Sequence, residues 1–172
     1  MRIAIKDANV FIDLESMGIL DLWFQLDYQT ITSSFVVVEL EDGGHANALA
    51  SIHAGQVIEA VISGEEMEAF ETLRVECEPT GLSPADVSVL YLAIREDALL
   101  LSGDKPLRNQ AKLRLMDVHG TLWIMDQLVD YGLLAKRVAA QRLETLLLRT
   151  GRERRYLPKA ECHARITRWS KG

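Results

Sequence analysis

The sequence predicts an α/β protein, a three-layer α/β/α sandwich around a central, mostly parallel sheet, with a basic helical extension at its C-terminal end. Three observations predict it. Short β-branched or wholly apolar runs recur along the chain, each followed within a few residues by a helical pattern, and that alternation builds parallel sheets. The 172 residues are 48% hydrophobic and 26% charged, enough for one sizeable core, which excludes disordered, collagen-like and disulfide-scaffold classes. Charge is divided unevenly: residues 1–135 carry 8 Lys and Arg against 22 Asp and Glu, whereas residues 136–172 carry 11 against 3. Such a split marks a basic segment that meets a polyanion or folds onto an acidic body.

The elements follow in order. Residues 2–6 alternate and are β-branched, a buried strand with Asp7 directly after it and a helical pattern from Ala8 to about Leu20. Residues 29–32 form a second strand. Ser33 and Ser34 are caps for a helix over 35–41, although the triplet Val36-Val37-Val38 favours a strand, and Gly43-Gly44 stops the element. Residues 56–62 read as a third short strand, 64–75 as a Glu-rich helix and 79–81 as a loop. Ser83-Pro84-Ala85-Asp86 is a strong helix start, with Ser as the cap, Pro in the first turn and an acid three residues on; that helix runs to about Glu96.

Residues 98–102 are an apolar buried strand, and Gly103-Asp104-Lys105-Pro106 turns into a helix over 107–115. A short strand at 117–119 leads through Gly120-Thr121 into a helix over 122–131. An amphipathic helix over 136–149 ends at Gly151, and a basic helix covers 159–169. This divides the chain into a domain at 1–134 and a basic helical extension at 135–172. Residues 43–79 show no recognisable motif.

The chemistry lies in the acids. Open α/β sheets bind ligands at the carboxyl ends of their strands. Asp7 and Asp104 follow two predicted strands, Asp86 stands in the first turn of a helix, and Glu39 lies late in the helix after the second strand. Four carboxylates from four segments can meet there, and hard oxygen donors without Cys or His favour Mg²⁺ or Mn²⁺ over zinc. Each acid also has a local structural reading: Asp7 caps its own helix, Asp86 completes a capping box, Asp104 serves a turn, and Glu39 faces solvent with Glu41 as its rival.

These residues carry a family resemblance. Residues 5–12 (Ile-Lys-Asp-Ala-Asn-Val-Phe-Ile), Val38-Glu39-Leu40 with Gly43, Leu82-Ser83-Pro84-Ala85-Asp86, and Leu101-Ser102-Gly103-Asp104 resemble the successive motifs of PIN-domain nucleases. Residues 118–122 resemble the segment that closes many members, so the likeness covers about residues 2–133. It implies a metal-dependent, RNA-cleaving fold in which Asp7, Glu39, Asp86 and Asp104 hold Mg²⁺ or Mn²⁺, supported by Asn9 and Ser102. The products would carry 5′-phosphate and 3′-hydroxyl ends. Many single-domain members are toxins of toxin–antitoxin pairs, which implies an antitoxin protein that inserts a basic side chain among the acids, and a homodimer with the 136–149 helix as an interface. The alternative reading is an inactive PIN-like module that binds RNA or protein. A phosphatase would want a second aspartate near Asp7, and Asp7-Ala8-Asn9 has none.

Other residues read as structural. Asp13, Asp117 and Asp126 are expected to be solvated or capping, and His119 to end a strand. His45, His53, His119 and His163 share no ligand spacing, Ser33 and Ser34 have no matched base, and no glycine-rich phosphate loop is present. In the basic tail, Arg152, Arg154, Arg155 and Lys159 are candidate RNA contacts, with Tyr156 and Trp169 as stacking partners. A solvated helix face or docking onto an acidic body are the other readings of that tail. Cys77 and Cys162 form no redox or metal spacing, the longest uncharged run (residues 43–58) is too polar to cross a membrane, and the start lacks a secretory signal, so a cytoplasmic location is expected.

Overall fold

The computed structural model describes residues 2–149 and 157–171. Five strands form one parallel sheet: β1 (Arg2–Lys6), β2 (Tyr28–Ser33), β3 (Val57–Ala60), β4 (Leu99–Leu101) and β5 (Val118–His119), in the order β3-β2-β1-β4-β5. Consecutive residues Ala4, Ile5 and Lys6 of β1, and Leu99, Leu100 and Leu101 of β4, are all buried. Successive strand side chains point to opposite faces, so both faces of the central strands are covered, as a sandwich requires. The order also has a geometric consequence. The chain builds outward from β1 through β2 to β3, then returns to build β4 and β5 on the other side, so its direction reverses between β1 and β4. That switch point opens a crevice at the carboxyl ends of those two strands.

Ten α-helices are described: α1 (Ala8–Ser16), α2 (Leu20–Trp23), α3 (Ser34–Asp42), α4 (Ala46–His53), α5 (Met67–Cys77), α6 (Pro84–Arg95), α7 (Lys105–Leu113), α8 (Thr121–Asp130), α9 (Lys136–Leu147) and α10 (Lys159–Ser170). The first helical stretch is shorter than expected because Gly18 takes φ +65°, a left-handed conformation that stops α1. The valine triplet lies in a helix, against its strand preference. Ser33 caps α3 by accepting from the Val36 amide at 3.2 Å, and Val36 and Val37 are buried. Helix α4 is an addition to the expected elements, and the expected loop at 79–81 is replaced by a single 3₁₀ turn over Glu78–Thr80.

The two C-terminal helices fold back on the body. Buried Ala139, Ala140, Leu143 and Leu146 of α9 pack against α10 and α8, so the face expected to make an interface between copies is covered within the chain. Trp169 is 1% exposed and cannot serve as a stacking partner for a ligand. Arg165 and Arg168 both hold Asp126, Arg165 through Nε at 2.9 Å and Nη2 at 2.7 Å, so Asp126 is a clasp rather than a solvated residue. Asp13 is likewise buried, accepting from Thr121 Oγ1 at 2.6 Å and joining α1 to α8. Arg152, Arg154, Arg155 and Tyr156 lie outside the described residues, while Lys159 is exposed at the start of α10.

Asp126→Ala is expected to destabilise the protein by about 1–3 kcal/mol, since it leaves two guanidinium groups without their carboxylate. Cys162 of α10 is wholly buried and supplies the readout, because its thiol should become reactive towards an aromatic disulfide reagent as α10 loosens. An unchanged labelling rate would show that the clasp is not what holds α10.

Candidate functional site

Asp7 leaves the end of β1 at the switch point, its amide still bonded to the Leu101 carbonyl at 3.0 Å. It occupies the cap position of α1, yet its side chain makes no cap bond. The carboxylate turns instead into the crevice, where Asn9 Nδ2 donates to Oδ2 at 2.6 Å and Ser102 Oγ donates to the same atom at 2.7 Å. Asn9 Oδ1 in turn accepts from the Gly103 amide at 2.9 Å, tying the turn after β1 to the turn after β4. A side chain at Gly103 would crowd that Asn9 oxygen at 3.2 Å. Ser102 Oγ also accepts from the Asp104 amide at 3.0 Å, so one hydroxyl links the segments of Asp7 and Asp104.

Two of the other candidate acids have part of their capacity already in use. Asp104 caps α7, Oδ1 accepting from the Leu107 amide at 2.8 Å. Asp86 completes the anticipated capping box, and both the Ser83 amide (2.8 Å) and the Ser83 hydroxyl (2.7 Å) donate to its Oδ2. Its Oδ1, and Oδ2 of Asp104, accept no hydrogen bond among the described residues. Glu39 lies on the exposed side of α3.

The electrostatics show which acids feel one another. Burial, with the like charges of Asp86 and Glu39, pushes the Asp7 carboxyl up to about 7 against the pull of the Ser102 hydrogen bond. Desolvation and the charge of Asp86 raise Glu39 as well, with His45 opposing. Asp7, Glu39 and Asp86 therefore share one field, and the backbone amide of Asp104 is tied to Asp7 through the Ser102 hydroxyl. None of the four is paired with Lys or Arg among the described residues.

A divalent cation suits this donor set: all-oxygen, acidic, without a basic partner, and with a buried carboxylate whose charge lacks a counterion. The set is nonetheless open. Among the described residues no three Asp, Glu, His or Cys side chains stand close enough together to enclose an ion.

Two groups beside the site escape sequence reasoning. Glu15 Oε2 holds His45 Nδ1 at 3.0 Å and so places the imidazole close enough to act on Glu39; the glycine pair before His45 is the only local signal. Arg108 Nη1 donates to the Ser102 carbonyl at 3.0 Å, bringing a cation to the back of the Ser102 turn.

Fold and site define a class: a parallel α/β protein with a buried carboxylate, Asp7, at its topological switch point. The chain belongs to the DUF3368 family, described as a PIN domain, whose family model matches residues 3–171. No curated protein matches it significantly in sequence. Among solved structures it is similar to a chain of VapBC2 from Rickettsia felis, crystallised bound to a DNA fragment from their promoter. That likeness has a TM-score of 0.51 at 18% identity and covers 69% of this chain and 98% of the other, so it speaks to fold alone.

Proposed function

We propose that this protein is a PIN-domain endoribonuclease, with Asp7, Glu39, Asp86 and Asp104 holding Mg²⁺ or Mn²⁺, and that it acts as the toxin of a cytoplasmic toxin–antitoxin pair. PIN domains are in general nucleases that use divalent metals. The observation that carries the reading is Asp7, a buried carboxylate at the switch point that forgoes its helix cap and faces like charges with no basic partner.

The bound metal would supply Lewis acidity to the phosphate and activate water for attack. The chain's own residues prepare the site. Asn9 and Ser102 fix Asp7 through one oxygen, and Ser102 sets the position of the Asp104 turn by the same hydroxyl. Asp86 and Asp104 each keep one oxygen clear of the caps and available as a donor. The antitoxin of this reading meets the acids with a basic side chain. A homodimer belongs to the same proposal, on a face other than the covered one of α9.

A second reading, an inactive PIN-like module that binds RNA or protein, draws on the open arrangement of the acids. Incubating the purified protein with single-stranded and structured RNA, with Mn²⁺ or with chelator, separates the two. The nuclease reading expects endonucleolytic products with Mn²⁺, none with chelator, and none from Asp7→Asn combined with Asp104→Asn. Cleavage that survives the double substitution, or RNA left intact in Mn²⁺, would overturn it.

A further inference from the structure

Ser102 joins the segments of Asp7 and Asp104 through one hydroxyl. Glu39 and Asp86 stand on two other helices, α3 and α6, and Glu39 feels Asp86 as a like charge. Repulsion opposes the approach of those helices. Apolar packing has no direction, so it does not fix how far one slides along the other.

A buried pair of hydroxyls does. Ser33, the cap of α3, and Ser88, in the second turn of α6, are both 0% exposed, and their Oγ atoms stand 2.6 Å apart. Counting donors gives the pair a direction. Ser88 Oγ donates to the Ala85 carbonyl at 2.6 Å, which uses its one proton, so Ser33 Oγ donates to Ser88. Ser33 Oγ in turn accepts from the Val36 amide at 3.2 Å. The run from the Val36 amide to the Ala85 carbonyl leaves neither hydroxyl without a partner, and a buried network satisfied in this way is rigid.

The run ends on the peptide that carries Asp86. The Ala85–Asp86 unit has its carbonyl held by Ser88 Oγ and its N–H by Ser83 Oγ at 3.1 Å, one hydroxyl at each end. Ser33–Ser88 is the one hydrogen bond between α3 with its cap and α6 among the described residues. Aromatic contact between the two helices runs through a third, from Phe35 to Phe70 of α5 (5.7 Å) and on to Tyr91 (5.9 Å).

We infer that Ser33 and Ser88 are positioning residues for the candidate site: their hydroxyl pair pins α3 to α6 and so sets the spacing of Glu39 and Asp86. The inference rests on the reading in which those acids share a cation. It deepens that reading by giving the four acids two hydroxyl joints, Ser102 for Asp7 and Asp104, and Ser33–Ser88 for Glu39 and Asp86. Both serines of the second joint are wholly buried and act only through the acids.

Ser88→Ala removes the joint and leaves the cap of α3 in place. Two readouts follow it in the full chain. One is Mn²⁺ affinity, from the free-ion electron paramagnetic resonance signal. The other, in chelator, is the distance between spin labels on Glu41→Cys of α3 and Ile94→Cys of α6. Both label sites are exposed, whereas native Cys77 and Cys162 are buried and escape labelling. Ser88→Ala is expected to weaken Mn²⁺ binding about tenfold and to broaden the label distances. Ser88→Thr, which returns a hydroxyl, should restore both. Ser51→Ala is the control: Ser51 is buried in α4, its Oγ makes the same bond to the carbonyl three residues back at 2.7 Å, and its loss should change neither readout.

Unchanged label distances, or unchanged affinity in a protein that binds Mn²⁺, would overturn the inference, whatever happens to the melting temperature. A lower melting temperature alone is what a merely structural hydroxyl predicts. If Ser88→Thr fails to fold, the comparison of Ser88→Ala with Ser51→Ala decides. The two readings fail separately. A wild type that binds no Mn²⁺ removes the metal and leaves the joint to the label distances; Mn²⁺ bound equally by wild type and Ser88→Ala removes the joint and keeps the metal.

Discussion

Asp7→Asn is expected to make the metal-free protein more stable at pH 8 while abolishing cleavage. The folded state keeps the Asp7 proton up to about pH 7, whereas the unfolded chain gives it up near the ordinary value of 3.8. Between those values the fold binds more protons than the unfolded chain, so stability falls as pH rises, and the loss is complete above about 7. The interval corresponds to at most about 4 kcal/mol. Asparagine carries no charge to desolvate, and its Oδ1 can still accept from Asn9 Nδ2 and Ser102 Oγ, the two donors that orient the native carboxylate.

Urea unfolding in chelator should therefore show a gain of about 2–4 kcal/mol at pH 8 and almost none at pH 4. Millimolar Mn²⁺ should raise the melting temperature of the wild type and leave that of Asp7→Asn unmoved. A variant no more stable than wild type at pH 8 would show that the buried charge is not a burden, and the case for a cation there would lose its footing.

The neighbouring residue predicts the opposite pH trend. Lys6 is wholly buried, and its Nζ has no hydrogen-bond partner among the described residues. What surrounds it is aromatic, with the rings of Trp23, Phe11 and Phe24 centred 4.6, 4.8 and 5.3 Å from the nitrogen. Cation–π attraction offsets part of the desolvation of the amine, and burial pushes its pKa well below 10.5. Lys6→Met keeps the length of the chain and the contact with the rings while removing the nitrogen. It is expected to stabilise the protein by about 1–3 kcal/mol, or several degrees in melting temperature.

The sign follows from proton counting. Where the unfolded lysine holds a proton that the folded one has lost, stability rises with pH, so the penalty is heaviest at low pH and fades towards 10.5. The gain from Lys6→Met should shrink on going from pH 6 to pH 10, whereas that from Asp7→Asn should grow between pH 4 and pH 8. Two adjacent residues thus provide internal controls for each other. A loss of stability in Lys6→Met would mean that the aromatic cage needs the cation.

Local grammar accounts for what is legible in the sequence. The capping box of Ser83 and Asp86, the Gly43-Gly44 stop and the apolar run of β4 act within a few residues of themselves, so they can be read without the fold. Helix α4 escapes because Ala46–His53 begins behind His45, which makes no side-chain cap bond, and has no acid in its first turn. Asp13 and Asp126 mislead for another reason. Their partners, Thr121, Arg165 and Arg168, stand far along the chain, and a carboxylate looks solvated until the distant group is in place.

The candidate acids divide the same way. Their order along the chain is legible, as are the caps of Asp86 and Asp104. That the Asp7 side chain declines its own cap is not, because the choice is made by Ser102 across the sheet. In sequence the basic tail reads equally as a free surface or as a segment folded onto an acidic body, and it is the distant Asp126 that draws Arg165 and Arg168 to the body.

Helix α10 follows every strand and all four candidate acids in the sequence, yet with α7 and the β5–α8 turn it walls a groove of about 500 Å³ beside them. During synthesis the sheet and all of its carboxylates leave the ribosome before residues 159–170 do. A nascent chain at that stage holds the acids without the finished channel. The order in which the polypeptide emerges therefore makes that groove later to assemble than the acids it adjoins.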